Sequence, residues 1–146
     1  MKANELRIGN LVLSNNPLYR KDWLGKVLSV LEIKDESVSV VAIDELPYAF
    51  TGGQFLKYID PIPLTEEILL KCGFKKQDYN MSNCHVYQKG SYRVLKSFND
   101  NNINQDYSLC INGISPPTWS IAHFKYVHQF QNLYFALTNT ELEINL

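Results

Sequence analysis

The sequence predicts an α+β protein, and three observations lead to that class. Short runs rich in β-branched residues occupy residues 1–60, a Pro-rich stretch then leads into a capped helix, and further strand-like runs precede a long amphipathic segment. Hydrophobic residues make up 45% of the chain, which is enough apolar content to offset the entropy lost on folding. A packed protein is therefore expected.

Residues 1–60 contain four strand-like runs joined by turns. Lys34-Asp35-Glu36 separates two of the runs and predicts a hairpin, and Gly52-Gly53 predicts a turn before the last run. Short, twisted strands at this density are typical of a small SH3-like β-barrel or a strongly bent sheet. The four runs are "RIGNLVL", "GKVLSVLEI", "SVSVVAI" and "QFLKYID".

A short linking helix is predicted from Glu66 to Cys72. Thr65 is a good N-cap, because its hydroxyl can accept a backbone N–H of the first turn. Glu66 and Glu67 place acids where the helix dipole favours them, and Gly73 ends the helix.

The C-terminal subdomain, residues 61–146, is expected to form a small antiparallel sheet packed by a long helix. A hairpin turning at Lys89-Gly90 is predicted in "CHVYQKGSYRVLKSF", with "DYSLCING" as its neighbour and "ELEINL" as a short terminal strand. The Pro-rich "DPIP" keeps the chain extended and separates this part from the N-terminal subdomain, residues 1–60. Because this connection is too short to act as a free linker, the two are expected to pack as one compact unit.

The long C-terminal helix is predicted over residues 124–138. At about 100° per residue, one arc forms an apolar core face. A second stripe places two rings around a hydrogen-bonding pair, at Phe124, His128, Gln131 and Phe135. Either a strand or the N-terminal subdomain covers this stripe, or it is an exposed interface, of which a two-fold homodimer is the simplest form. The core face consists of Tyr126, Val127, Phe130, Leu133, Tyr134 and Leu137.

Charge and cysteine content limit the classes of partner. The formal net charge is −1, so no global attraction toward nucleic acid or an anionic membrane is expected. No run suits a signal peptide or a membrane span, and the three widely spaced cysteines are expected to be free thiols in a reducing cytoplasm. Those spacings supply no metal-ligand set, so neither a metal nor another cofactor is expected.

Weak nucleic-acid binding is the alternative function, and it depends on one loop. Tyr19, Arg20, Lys21 and Trp23 interleave two positive charges with two rings, which suits base stacking and phosphate contact. The competing interpretation is a surface loop whose Trp23 folds back onto the core.

Catalytic motifs are sparse. The chain has neither a Gly-rich phosphate loop nor a Gly-x-Ser-x-Gly elbow. A hydrolase-like enzyme is the third hypothesis, in which tertiary contact would have to pair Cys84 with His123. Cysteine on a strand is more often a small buried hydrophobe, so an enzyme is the least favoured of the three functions.

Three blocks of the sequence resemble one family: "ANELRIGN", "PIPLTEEILLKCGF" and "YVHQFQNLYFALTNTELEI". They are similar to a family of small uncharacterised proteins encoded by Bacteroidales phages, prophages and other mobile elements. The resemblance implies an intracellular accessory protein and brings no catalytic residue or ligand. One departure is Asn139, where Gly is expected after the helix, although Asn also adopts the left-handed conformation of a helix end. The leading hypothesis is a non-catalytic intracellular binding or adaptor protein, with another protein or a second copy as its partner.

Overall fold

The computed structural model describes residues 1–16, 24–43, 51–78, 84–97, 107–111 and 121–144. The chain divides into two compact units, which we call unit 1 (Met1–Pro63 and Tyr126–Asn139) and unit 2 (Leu64–Lys125 and Thr140–Leu146). Within the described residues each unit holds one five-stranded antiparallel sheet, and both contain helix. The α+β class expected from the sequence is confirmed.

The sheet of unit 1 has the strand order β4-β3-β2-β1-β5. Its strands follow the β-branched runs of the sequence, because Val and Ile pack well on a pleated surface. The predicted hairpin between β2 and β3 is present. The strands are β1 (Leu11–Ser14), β2 (Val27–Ile33), β3 (Ser37–Ala42), β4 (Thr51–Phe55) and β5 (Ile59–Pro61), with 3₁₀ helices η1 (Ala3–Glu5) and η2 (Leu56–Tyr58).

A bulge in β2 distorts this sheet. Val30 pairs with Val40 and Glu32 pairs with Ser39, so Leu31 is an extra residue that increases the local twist. Among the described residues no pairing of β4 with β5 closes the sheet, so an open sheet, rather than the closed barrel, is observed. The core of the unit consists of Leu6, Val12, Leu28, Val30, Val38, Val40, Ala42 and Ile59.

The run "QFLKYID" contributes to two strands where the sequence suggested one. Its first residues end β4, the 3₁₀ helix η2 follows, and β5 begins at Ile59. Gly52 and Gly53 lie within β4 and pair with Val40 and Ser39, so the turn predicted there is wrong. Glycine imposes no conformation of its own, and pairing with β3 determines its backbone here.

Unit 2 begins with the helix that the capping pattern predicted. Helix α1 spans Glu66–Lys71, the Ile68 N–H donates to the Thr65 hydroxyl at 3.2 Å, and Gly73 follows with a φ of +82°. The sheet has the order β10-β9-β8-β7-β6. Its strands are β6 (Lys75–Lys76), β7 (Cys84–Lys89), β8 (Tyr92–Ser97), β9 (Tyr107–Ile111) and β10 (Ala122–Phe124).

Helix α2 spans Val127–Thr138 and belongs to unit 1. The sequence placed it on the second sheet instead, within a subdomain of residues 61–146, and that assignment is wrong. The helix also begins later than predicted, because Phe124 is the last residue of β10 and pairs with Tyr107. Pairing with β9 therefore places Phe124 in a strand, although the helical periodicity had assigned this residue to the helix.

The end of α2 follows the prediction, and the segment after it does not. Asn139 adopts the left-handed conformation, with φ 53° and ψ 30°, and its N–H donates to the Phe135 carbonyl. Residues 141–144 form no strand, so the prediction of a strand in "ELEINL" is wrong for the described part of that segment. Leu142 is buried there, whereas Glu141 and Glu143 are exposed. The alternation of polar and apolar residues in this segment therefore reflects the burial of Leu142 and not a strand.

Candidate functional site

The polar side of α2 holds the N-terminal strand. β5 ends at Pro61, which pairs with Val12, so β5 provides no backbone hydrogen-bond partner for the part of β1 that precedes Val12. Gln131 supplies that partner: the Leu11 N–H donates to its Oε1 at 2.9 Å, and its Nε2 donates to the Gly9 carbonyl at 3.3 Å. One side-chain amide thereby extends the ladder of β1, as a paired residue of a strand would do.

A second amide of α2 fixes the segment before β1. Asn10 Nδ2 donates to Asn132 Oδ1 at 2.8 Å, and Asn132 Nδ2 donates to the Glu5 carbonyl at 3.0 Å. The guanidinium carbon of Arg7 lies 3.8 Å from the centroid of the Phe135 ring, which is a close cation–π contact. The segment from η1 to β1 is thus attached to one side of the helix.

These contacts overturn the hypothesis of an exposed stripe on the C-terminal helix. His128 and Gln131 are 2% and 3% exposed, and Phe135 is half-buried against a guanidinium. Phe124 is also buried, but in unit 2, where its ring stacks on Tyr107 with the centroids 6.3 Å apart. The four residues do not form one surface, and on the helix Gln131 and Phe135 contact residues of the N-terminal subdomain.

The core face of α2 is only partly as predicted. Val127 and Phe130 are buried, at 1% and 0% exposure. Leu133, Tyr134 and Leu137 are half-buried, so this part of the predicted face is less buried than expected. Hydrogen bonds to the N-terminal segment, as well as apolar contact, determine which side of the helix is buried.

His128 is a buried titratable side chain of α2. Its ring stacks on Tyr126 with the centroids 5.9 Å apart, and its Nδ1 has no hydrogen-bond partner among the described residues. Burial lowers the pKa of His128 below its ordinary value, Glu5 opposes this shift, and the positive amino group of Met1 reinforces it. The imidazole is therefore neutral in the folded protein at neutral pH.

We expect acid to destabilise the fold through His128. Because its folded pKa is lower than the unfolded value of 6.5, the unfolded chain takes up the proton first as the pH falls. The stability that the neutral ring provides is present above the unfolded pKa and is lost as the pH falls through the folded pKa. Denaturant titrations across this range should show the loss.

His128→Phe keeps a stacking ring and removes the titration, so it should reduce that loss. His123→Phe, at an exposed histidine, is the control and should leave the loss unchanged. The same pH dependence in His128→Phe as in the wild type would show that another group is responsible.

The residues expected to contact nucleic acid, Tyr19, Arg20, Lys21 and Trp23, lie outside the described residues. That hypothesis therefore stays a prediction from the sequence. The described residue before this loop is Asn16, which is buried and donates from Nδ2 to Gln54 Oε1 at 3.1 Å.

The thiols show no catalytic arrangement among the described residues. Cys84 is in β7 and His123 is in β10, and with two strands between them the spacing is about 14 Å. Burial raises the pKa of Cys84 and raises the pKa of Cys72 to about 11, so both are protonated at neutral pH. Within the described ranges no three His, Cys, Asp or Glu side chains converge as metal ligands.

A charged cluster lies beside α1, and its electrostatics argue against a catalytic role for its side chains. Lys76 Nζ lies 2.9 Å from Glu66 Oε1 and 5.8 Å from the centroid of the Tyr87 ring. Burial raises the pKa of Tyr87 and raises the pKa of Tyr107 to about 12, and the Glu66 carboxylate adds to both shifts. Both phenols stay protonated and enclosed, so they supply no base.

Among the described residues, the best candidate functional site is an open groove in unit 1. It has a volume of about 440 Å³ and lies beside the turn between β2 and β3. Its apolar lining comes from the start of the chain and from the junction of β4 with η2, at Met1, Ala3, Phe55 and Leu56. A mainly apolar concave surface with a few polar groups is the usual form of a ligand site. We call it the Phe55 groove.

Phe55 is the exposed ring of this groove. Its residue surface is 57% exposed, although its backbone pairs with Ser37 in the sheet. Lys57 Nζ lies 5.7 Å from the centroid of this ring and 4.9 Å from that of Tyr58. The sequence prediction missed this site, because an aromatic residue in a strand is ordinarily buried. The signal that the sequence offers for this site is an aromatic residue, Phe55, two positions after Gly53 in a strand without charged residues.

Comparisons with known proteins return no match: no protein-family model, no curated protein and no solved structure matches the chain. Among the described residues, no helix has the length and the apolarity needed to cross a lipid bilayer.

Proposed function

We propose that the protein is a non-catalytic binding or adaptor protein whose Phe55 groove takes an apolar side chain of a partner polypeptide. The observation that carries the proposal is Phe55 itself, a large side chain 57% exposed over an open groove. Apolar surface rimmed by polar residues is typical of interaction sites, because covering it removes that surface from water. Aromatic residues are also frequent among those that dominate binding energy.

The charges around the groove define the kind of segment that fits. Lys2 and Lys57 supply two positive charges, and Asp35 and Glu36 supply two negative ones. A segment whose apolar residue is flanked by charges of both signs would pair with this rim. A polyanion such as nucleic acid would meet repulsion from Asp35 and Glu36, so a polypeptide is the better match.

The cellular setting rests on the resemblance to proteins of Bacteroidales phages and mobile elements. That resemblance supports an accessory protein acting in the host cytoplasm. Its partner would then be a host or phage protein that presents an accessible segment.

Selection from a displayed library of random linear peptides tests the proposal. Peptides enriched on the wild type, but not on Phe55→Ser, should carry a large apolar residue next to charged ones. A synthetic copy should bind the wild type at least about tenfold more tightly than Phe55→Ser, or about 1.4 kcal/mol. Because Phe55 is largely exposed, this variant should keep a melting temperature close to that of the wild type.

Ile8→Ser is the matched control, since Ile8 is 64% exposed in the same unit and does not line the groove. It should bind the synthetic peptide as the wild type does. Equal enrichment on the wild type and on Phe55→Ser, or equal affinity of the two for the peptide, would exclude the groove as the binding site.

A further inference from the structure

We propose that strand β4 pairs edge to edge with β4 of a second copy of this chain, forming a two-fold dimer. Within the described residues β4 is the last strand on its side of the sheet. The dimer engages the same Phe55 ring as the proposed function, and its test acts at Gly53, which does not line the Phe55 groove, so that the two proposals can fail separately.

The other described sheet edges are less suited to such pairing. β6 is two residues long, and both are lysines. β5 is three residues long and ends in Pro61, which has no N–H to donate, and β10 is also three residues long. β4, by contrast, is five residues long and contains neither a charged residue nor a proline. An edge of this kind is a template for another strand.

The backbone of β4 presents hydrogen-bonding groups to that side. The Leu56 N–H donates to the Glu36 carbonyl at 3.0 Å, so the even-numbered residues of β4 face β3. The bonding direction alternates along an antiparallel strand, so the N–H and C=O of Gly53 and the N–H of Phe55 point away from β3. Among the described residues the Gly53 backbone has no partner on that side.

Gly53 faces open space on the exposed side of the sheet. A Cβ added there would meet no atom within 4 Å, so there is room for a side chain of a paired strand to lie over it. In a two-fold antiparallel pair centred on Gly53, the two glycines exchange both backbone hydrogen bonds with their Cα atoms about 5.5 Å apart. Phe55 then lies diagonally across from Gly53 of the second copy, and a ring that covers a cross-strand glycine stabilises such a pair.

Charge favours a second copy as the occupant of this edge. β4 is uncharged, and the groove at its end carries charges of both signs, so no block of like charge separates the two copies. The formal net charge of −1 adds little repulsion at longer range. An antiparallel edge is also self-complementary, because a residue at the axis offers a donor and an acceptor to its own symmetry mate.

Charges introduced at Gly53 test the dimer and the position of its axis. In sedimentation velocity over a concentration series, the wild type should shift from monomer to dimer. Gly53→Lys and Gly53→Glu should each remain folded monomers, because like charges meet at the axis. An equimolar mixture of these two variants should recover the dimer, since opposite charges then face each other.

Gly53→Ser is the neutral control and should dimerise as the wild type does. Circular dichroism and thermal melting should show that all three variants fold, since the position is open on its exposed side. A wild type that stays monomeric at the highest concentration would overturn the proposal. So would charged variants that dimerise like the wild type, or a mixture that stays monomeric.

Discussion

Phe130→Ala should lower the free energy of unfolding by about 3–5 kcal/mol. Phe130 is 0% exposed, so truncation removes a whole ring from its contacts and leaves a cavity that the neighbours refill only in part. The edge-on contact with Tyr134, whose ring centroid lies 6.4 Å away, is lost as well. Denaturant titration followed by circular dichroism measures this change as a lower midpoint at an unchanged slope.

Phe55→Ala is the matched control, since it removes the same side chain from a position that is 57% exposed. It should cost about 1 kcal/mol or less. Similar losses for the two variants would contradict the burial of the Phe130 face of α2.

Gln131→Leu should lower the free energy of unfolding by about 2–4 kcal/mol, although it places a more apolar residue at a buried position. The change removes the partners of the Leu11 N–H and the Gly9 carbonyl. Each buried polar group left unpaired costs on the order of 1–3 kcal/mol, and the added apolar contact offsets only part of this cost. The same titration measures the loss, and amide exchange at Leu11 should become faster.

Gln129→Leu makes the same change on the exposed side of α2, where the side chain accepts the Tyr126 N–H at 3.3 Å. It should cost less than about 1 kcal/mol, because water replaces the lost bond. If Gln131→Leu were as stable as the wild type, the Gln131 amide would not be a necessary partner of β1.

Features that depend on neighbours along the chain could be predicted from the sequence. α1 begins after Thr65 because that hydroxyl caps the first turn, and α2 ends at Asn139 because Asn tolerates the left-handed backbone. The hairpin of β2 and β3 also follows from β-branched runs on either side of a polar turn.

Features that depend on distant segments could not be predicted from the sequence. Phe124 fits the periodicity of a helix, and only the presence of β9 beside it makes it a strand residue. Gly52 and Gly53 have the composition of a turn, yet β3 holds them in an extended strand. Local preference is weak at these positions, so the backbone hydrogen bonds available from another strand determine the outcome.

The sequence by itself determined the α+β class, the start of α1, the end of α2 and most of the strands, because caps, turns and β-branched runs act over a few residues. The tertiary structure decided which unit holds α2. Gln131 is buried because β5 ends at Pro61 and leaves part of β1 without a strand beside it. The hydrogen bond that results joins Gln131 to Leu11, a residue 120 positions away in the sequence. The tertiary structure also decided that Phe55 is exposed beside a groove, because β4 lies at the edge of its sheet and the start of η1 lines the same groove.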